Sequence, residues 1–512
     1  MTANQRIAIN FLATYGRSLF ALACGLFSGR WMLMSLGKVD YGLYGVVGGL
    51  AGFVSFFNSL MSGAVSRYYA FHVGAAADLG TEGVETCRKW FTTALVVHVA
   101  VPIVLMTVGY PLGIWSLKNF LAIPLERIDA CIWVWRFVCV NCFVGMVSVP
   151  FIAMYTAKQE IAEMTLYGFF QTTFNVCVLY YMVSHEGRWL VPYAAWACFI
   201  SIVPQILMCV RAALSFPECR FRKIYIFGWD RLKDLVTFAS LRFAGALTIV
   251  LQSQGMVILT NRFLGPARNA AMTVGNSLAA HSESLSGALD TALGPAITTA
   301  CGAGDYVRMR SLCYRACKFE AALMLVFVLP LSLEMDEVMS LWLGAPPALA
   351  APLCTCLLVC LVLEKICSGH WMAIFAFGRI GWYQIALGFC GILVFVLAWG
   401  LVENGFDLVG VGYALVFGKV IASGVRLWFG RTVGGLLVRR WLVHVLVPLA
   451  VTSVLAWAAG CAVVVLKSRS LERAVLTTFV VECIFLPLCW MVVLTQEERS
   501  SLLSHVKAKI IR

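Results

Sequence analysis

Charged residues are scarce in this sequence, and no polar stretch is long enough to form a separate soluble domain. Of its 512 residues, 13% are charged and 61% are hydrophobic, proportions far from those of soluble domains. Apolar stretches of about 20 residues, the length that spans a bilayer as a helix, recur from end to end. The composition excludes a soluble globular protein and predicts an all-α polytopic membrane protein with about fourteen transmembrane helices.

Motifs for enzyme chemistry, metal binding and disulfide formation are also missing. No G-x-x-x-x-G-K-[ST] loop occurs, which excludes nucleotide hydrolysis by a P-loop. The 20 cysteines are spread through apolar segments, so buried thiols are favoured over disulfides. Cys139 and Cys142 form a C-x-x-C inside an apolar helix without nearby His or Cys partners, which argues against a metal or redox site. We expect no catalytic residue, no bound metal and no organic cofactor.

The basic excess agrees with a membrane topology better than with nucleic-acid binding. The net charge is +13, and with a cytoplasmic N-terminus most Lys and Arg fall in cytoplasmic connectors, as the positive-inside rule requires. The first apolar run, interrupted by Arg17 and Arg30, is too long for a cleavable signal peptide and is expected to remain as the first span. We expect both termini in the cytoplasm, membrane lipids around the helices and no nucleic-acid partner.

The predicted helices form two groups of six and a final pair. The six-helix lobes cover 1–228 and 229–432, and 433–512 adds two helices and a cytoplasmic tail. An offset of 228 residues places Leu36-Gly37 on Leu264-Gly265. Because six is even, both lobes enter the membrane from the same side, which predicts parallel repeats about an axis along the membrane normal.

A polar stripe runs along the predicted helix 266–300. Asn276, Glu283 and Asp290 recur every seven residues and therefore share one helix face. An acid at bilayer depth costs roughly 2.5–3.5 kcal/mol on insertion scales, so the stripe should face a bundle interior or a water-filled cavity. The repeat offset extends this cavity stripe to Ser55 and Ser62 in the second helix.

Four cations lie near the middle of their predicted helices, where snorkelling to the headgroups is difficult. They are Arg17, Arg242, Lys365 and Lys419. We interpret the first three as cavity cations that bind an anionic substrate, since Arg forks match phosphate oxygens, and Lys419 as a local or interhelical pair. Two alternatives stay open: Arg242 pairs with Asp290, and Lys365 pairs with Glu283. Otherwise Glu283 is a candidate for binding a coupling proton or sodium ion.

The chain resembles a known transporter family. Leu36-Gly37, then Tyr41-Gly42-Leu43-Tyr44-Gly45, and the six-six-two layout resemble the polysaccharide-transporter branch of the multidrug/oligosaccharidyl-lipid/polysaccharide (MOP) exporter superfamily. The resemblance covers essentially the whole chain. It implies a flippase that moves a polyprenyl-diphosphate-linked oligosaccharide across the bacterial inner membrane by alternating access. Such transport serves O-antigen, capsule or exopolysaccharide synthesis, and the expected partners are polysaccharide assembly proteins.

Two other functions remain open. A cation- or proton-coupled multidrug antiporter of the same superfamily should have an acidic or aromatic cavity, whereas this predicted cavity carries more basic than acidic residues. A membrane polysaccharide polymerase or ligase should carry a large external loop with catalytic Arg or His, and the external connectors here are short. We therefore favour the flippase and expect no enzymatic activity.

Overall fold

The regular structure of the described residues is helical. The computed structural model describes 16–17, 20–21, 23–25, 27–52, 80–158, 160–221, 228–234, 250–378 and 380–500, with the single residues 65, 69, 225 and 237. Every regular element in these ranges is an α, 3-10 or π helix. Within them, eight helices are long and apolar enough to cross a membrane, or up to nine if a bent pair forms one span. The predicted all-α multi-pass fold is confirmed.

The chain divides into two compact units, Met1–Thr273 and Val274–Arg512. Helices of the first unit are α1 (27–52), α2 (Gly80–Trp115), α3 (Ile128–Ala157), α4 (Ile161–Val183), α5 (Leu190–Ser215) and α6 (Met256–Leu264). The division falls within α7 (Pro266–Gly302). Helices of the second unit are α8 (Tyr306–Leu343), α9 (Ala350–Lys365), α10 (Ser368–Ala376), α11 (Gly381–Glu403), α12 (Leu408–Gly434), α13 (Val438–Leu466) and α14 (Leu471–Val493). The lobes 1–228 and 229–432 stay a prediction.

Two glycines related by the 228-residue offset share an unusual backbone conformation. Gly37 has a φ of 72° and Gly265 a φ of 83°, values that glycine adopts at little steric cost. Gly265 ends α6, where its N–H donates to the Asn261 carbonyl oxygen. Both Leu-Gly pairs therefore place a glycine at positive φ, within α1 at Gly37 and at the end of α6 at Gly265.

Glycines of the Tyr41–Gly45 signature bring α1 into close contact with the start of α7. A Cβ on Gly42 would overlap the carbonyl oxygen of Pro266, and one on Gly45 would overlap the Thr273 hydroxyl. The Asn269 amide nitrogen donates to the Gly42 carbonyl oxygen at 2.8 Å. Small residues allow helix backbones to approach in this way. The glycines are thus explained by helix packing.

Helix α8 lies at the centre of the second unit, where it packs against α9, α10, α13 and α14. Its buried face carries the small side chains of Cys313, Cys317 and Ala321. Gly369 of α10 comes so close that a Cβ there would overlap the Cys313 carbonyl group. Small residues on both helices therefore permit this approach.

The apolar stretch 347–377 consists of two helices. Helices α9 and α10 are separated by Ile366 and Cys367 and are bent by 47°. Glu364 and Lys365 occupy the last positions of α9, directly before the bend. The bend therefore places two ionisable residues beside an interruption of the helix.

Two buried ion pairs join the C-terminal helices to α8. Glu334 accepts hydrogen bonds from Arg473 of α14 through Nε at 3.0 Å and Nη2 at 2.6 Å. Beyond the end of α14, Glu498 accepts from Lys318 Nζ at 2.9 Å. All four side chains are at least nine-tenths buried. The final helix pair is thus attached to α8 by charge as well as by apolar packing.

Candidate functional site

Some predicted site residues lie outside the described part of the chain. These are Arg242, Ser55 and Ser62. The structure places the others in two groups, one in each compact unit. Arg17 belongs to the first unit, and Asn276, Glu283, Asp290 and Lys365 belong to the second.

Arg17 lies against α4 within the first unit. Its backbone is helical and its side chain is exposed. The guanidinium rests on Gly168, where a Cβ would overlap Nε and Cζ. A glycine at this position therefore makes room for the guanidinium on the surface of α4.

A polar cavity begins one helical turn from Arg17. It has a volume of about 350 Å³, within the size range of small-ligand sites. Its lining comprises Ala21, Cys24, Gly25, Ser28, Gln171, Thr172, Asn175, Ala197 and Ile200. Ala21 follows Arg17 by four residues and Gln171 follows Gly168 by three, so Arg17 shares its helix face with the cavity lining. Neutral side chains that can form hydrogen bonds therefore line this cavity, and the Arg17 cation lies near it.

The structure separates the members of the α7 stripe. Asn276 and Asp290 are half-buried, whereas Glu283 is exposed. Asp290 Oδ2 accepts a hydrogen bond from Lys365 Nζ at 2.8 Å, and Glu283 also lies within electrostatic reach of Lys365. Lys365 is therefore a buried partner of the stripe, 5% exposed.

A second carboxylate, from Glu320 of α8, lies beside the same ammonium group. Its Oε2 is 3.7 Å from Lys365 Nζ, and the residue is 0% exposed. Neither oxygen of Glu320, nor Asp290 Oδ1, forms a hydrogen bond of good geometry with a described residue, although the Asp290 carboxyl group and the Ser368 hydroxyl lie close to Glu320. We name Asp290, Glu320 and Lys365 the acidic cluster.

The acidic cluster holds two carboxylates and one ammonium group. If all three are charged, one negative charge is left without compensation. Withdrawing such a charge from water costs several kcal/mol. A proton or a monovalent cation bound by the carboxylates would remove that cost.

Glu364 belongs to a neighbouring cluster with the opposite imbalance. Its Oε2 accepts from Lys419 Nζ at 2.5 Å, and its Oε1 accepts from Arg426 Nη2 at 2.9 Å. Both cations come from α12. We name Glu364, Lys419 and Arg426 the basic cluster, because two cations there share one carboxylate.

The two clusters meet at consecutive residues of α9. Glu364 and Lys365 project about 100° apart on the helix, so each joins a different cluster. Together the clusters contain three cations and three carboxylates. The excess charges are opposite, and binding of a cation at the acidic cluster would leave the pair of clusters with a net positive charge.

Sequence reasoning missed Glu320 and Arg426. Helix α8 also carries Lys318 and α12 also carries Lys419, but Glu320 and Arg426 are each less than one-tenth exposed. Burial cost was the available signal, because an isolated intramembrane charge requires a partner or a function. Their partners depend on the packing of α8, α9 and α12, which no local pattern specifies.

Comparisons with known proteins identify the fold. No protein-family model and no curated protein sequence matches the chain. The structure of a lipid II flippase, MurJ, in an inward closed conformation matches with a TM-score of 0.70 at 11% identity, covering 94% of this chain and 98% of that one. An inward-facing multidrug resistance transporter of the MATE family matches with a TM-score of 0.58 at 16% identity, covering 85% and 98%.

A third match is a MOP superfamily transporter from Pyrococcus furiosus, with a TM-score of 0.54 at 15% identity, covering 84% of this chain and 94% of that one. These similarities extend over almost the whole length of each solved protein. The chain is a multi-pass membrane protein. Its fold is that of the MOP superfamily transporters.

Proposed function

We propose that this protein flips a polyprenyl-diphosphate-linked oligosaccharide across the bacterial inner membrane by alternating access. The glycan would serve O-antigen, capsule or exopolysaccharide synthesis. The fold supports this proposal, since one protein with the same fold is a lipid II flippase. The sequence resemblance to polysaccharide transporters supports the same substrate class.

The position of Arg17 carries the proposal. A lipid-linked diphosphate must bring its charge through a low-dielectric layer, and a guanidinium binds phosphate oxygens through two parallel hydrogen bonds. Arg17 presents an exposed guanidinium beside a cavity lined by Gln171, Thr172 and Asn175. The cation suits the diphosphate, and the neutral amides and hydroxyl suit sugar hydroxyls. Arg242, in the corresponding seventh helix, is proposed to act with Arg17.

We further propose that the acidic cluster binds the coupling ion. The two carboxylates of Asp290 and Glu320 can accept one proton between them, which balances the charge of Lys365. The coupling ion would be a proton or a sodium ion. The pairing of Lys365 with Asp290 favours a role in coupling over direct substrate binding.

A multidrug antiporter is the second candidate function. The buried carboxylate excess at Glu320 favours it, because a cation-coupled antiporter also needs an intramembrane carboxylate. The two functions differ in the charge of their substrates. An anionic diphosphate requires Arg17, whereas a cationic drug does not.

The decisive experiment combines depletion with variants of Arg17. Depletion should cause lipid-linked oligosaccharide to accumulate on the cytoplasmic leaflet, measured with a membrane-impermeant glycosidase on vesicles of both orientations. Arg17→Ala should fail to restore flipping at normal protein abundance, and Arg17→Lys should restore it only in part, because an ammonium lacks the bidentate fork.

Arg136→Ala is the matched control. Arg136 is also a cation of a predicted helix, but it is exposed and lies over the Trp133 ring at 4.5 Å. The Arg136→Ala variant should restore flipping fully. An unchanged lipid-linked pool after depletion, or full activity of Arg17→Ala, would contradict the flippase and favour the antiporter.

A further inference from the structure

A second polar pocket of the first unit lies at the C-terminal end of α4. It has a volume of about 510 Å³, within the range of small-ligand sites. Met34 and Ser35 of α1 form one wall, and the α4–α5 connector from Ser184 to Trp189 forms the other. Under the predicted orientation this connector is external, so the pocket opens away from the cytoplasm.

Three aromatic rings are held in fixed positions around this connector. The His185 ring stacks on Tyr181 with centroids 4.3 Å apart, and the Trp189 ring meets Tyr181 edge-on at 5.9 Å. Trp189 Nε1 donates to the His185 carbonyl oxygen at 3.0 Å. A tryptophan of an ordinary interfacial belt anchors a helix in the headgroup region. Trp189 instead lines a pocket, and its ring is fixed by a hydrogen bond within the connector.

The polar groups of the pocket mostly accept hydrogen bonds. His185 Nδ1 lies 2.9 Å from the Tyr181 carbonyl oxygen, so this nitrogen carries the proton and a neutral ring offers Nε2 as an acceptor. The Ser184 hydroxyl donates to the Tyr180 carbonyl oxygen and keeps its lone pairs. Glu186 adds an exposed carboxylate. Such a set suits a ligand with several hydroxyl donors.

Ser35 provides a further polar atom. Its Oγ is buried, and it forms no hydrogen bond with the residues that the structure describes. A buried hydroxyl without a partner is uncommon in a folded protein. Because this oxygen is shielded from solvent, a ligand hydroxyl in the pocket would reach it only after the Ser35 side chain rotates.

Charge near the pocket argues for a neutral ligand. The carboxylate of Glu186 disfavours an anion such as phosphate. A cation is disfavoured because Glu186 is a single carboxylate in an otherwise uncharged set of lining residues. The pocket therefore lacks the concentrated charge of either sign that an ionic ligand would require.

We propose that this pocket is a carbohydrate-binding subsite. A sugar ring has an apolar C–H face, which packs on Trp189, and hydroxyls at its edge, which donate to His185 Nε2, Ser184 and Glu186. The inference rests on the proposed function, because it assigns the pocket to a neutral sugar of the transported glycan. On the external side, the subsite would hold the glycan after it has crossed the membrane.

The test is binding to the purified full-length protein in lipid nanodiscs. The probe is the glycan released by mild acid from the lipid-linked pool of the source cells, together with its component monosaccharides, observed by saturation-transfer NMR. Trp189→Ala and Glu186→Gln should each weaken binding at least tenfold. Trp189→Phe should retain part of it, because a ring remains.

Trp399→Ala is the matched control, since Trp399 is an exposed tryptophan of α11 whose Nε1 bonds to Glu403. It should bind the glycan as the unchanged protein does. Choline should not compete, because its quaternary ammonium group cannot donate hydrogen bonds to these acceptors. Three results would each overturn the subsite. These are absence of glycan binding, binding by Trp189→Ala and Glu186→Gln as strong as that of the unchanged protein, and displacement of the glycan by choline.

The subsite and the flippase fail in different ways. Glycan binding that needs Trp189 in a protein whose depletion leaves the lipid-linked pool unchanged would keep the subsite and remove the flippase. If depletion blocks flipping but the pocket binds no glycan, the flippase is kept and the subsite is removed.

Discussion

Lys365 Nζ lies 2.8 Å from Asp290 Oδ2, so a lysine from α9 bonds to Asp290. The sequence left two pairings open, Arg242 with Asp290 and Lys365 with Glu283. Asp290 and Glu283 are seven residues apart on one face of α7, and the lysine bonds to the more deeply buried of the two. The acidic cluster thus contains one residue from each predicted pair, Asp290 from the first and Lys365 from the second.

Removal of Lys365 should destabilise the second unit strongly. Lys365→Gln leaves two carboxylates buried without a cation, and loss of one partner from a buried pair typically costs about 3–5 kcal/mol. Adding Asp290→Asn and Glu320→Gln should recover most of the loss. The melting temperature of the purified protein measures both effects. Lys467→Gln, which removes an exposed pair with Glu472, should shift the free energy of unfolding by about 1 kcal/mol or less.

The carboxyl group of Glu320 should couple transport to the proton gradient. Glu320→Gln retains the shape of the side chain but cannot exchange a proton, so transport in proteoliposomes should no longer respond to an imposed pH gradient. Glu472→Gln, at a surface carboxylate, should leave the response intact. A normal response of Glu320→Gln would assign coupling elsewhere.

A methyl group at Gly42 should disturb the contact of α1 with α7. Gly42→Ala places Cβ on the Pro266 carbonyl oxygen, and overpacking of this kind costs about 1–3 kcal/mol. Gly48→Ala, on the same helix, meets no atom within 4 Å and should be neutral or slightly stabilising. Protein abundance and melting temperature should separate the two variants.

The contact of Glu498 with α8 should weaken in acid. Burial alone would raise the pKa of Glu498, but hydrogen bonds from Lys318 and the Thr495 backbone outweigh it and lower the pKa. The contact therefore contributes fully above the usual glutamate pKa of about 4.3 and is lost as the pH falls through the lower folded value. The segment 494–500, which we call the tail, should then separate from α8. Limited proteolysis of the tail at decreasing pH should detect this release.

Substitution provides a control for this pH effect. Glu498→Gln should release the tail already at neutral pH, because the amide cannot form a charged pair with Lys318. Glu497→Gln, at the exposed neighbouring residue, should leave it attached. Equal protease resistance of both variants at neutral pH would show that the ion pair does not hold the tail.

Orientation remains a prediction from charge. The excess of Lys and Arg in alternate connectors requires a cytoplasmic C-terminus. A fluorescent reporter that matures only in the cytoplasm should be active after Arg512, and alkaline phosphatase at the same position should be inactive. The opposite pattern would reverse the orientation of every span.

Long apolar windows bounded by polar residues made most helix positions predictable. The stretches 408–430 and 472–494 correspond to α12 and α14, whose bounds are Leu408–Gly434 and Leu471–Val493. Hydropathy identifies such helices because a spanning segment must be apolar over about 20 residues. The bend between α9 and α10 escaped this reasoning because both pieces are apolar and no proline marks the break.

The contacts within the candidate site were less predictable. The seven-residue spacing correctly placed Asn276, Glu283 and Asp290 on one helix, but spacing within α7 says nothing about which helix faces it. Glu364 and Lys365 are adjacent in sequence, yet they join different clusters because successive side chains diverge by about 100°. Partner choice depended on interhelical packing.

The two ion pairs on α8 limit how this protein could have evolved. Lys318 and Glu334 are sixteen residues apart, about 24 Å along the helix, and each is neutralised by a residue from the segment after 433. A premature stop after α12 would leave a buried cation and a buried anion without these partners. Any twelve-helix descendant would need substitutions at both positions, so residues aligned with 318 and 334 should distinguish fourteen-helix relatives from shorter ones.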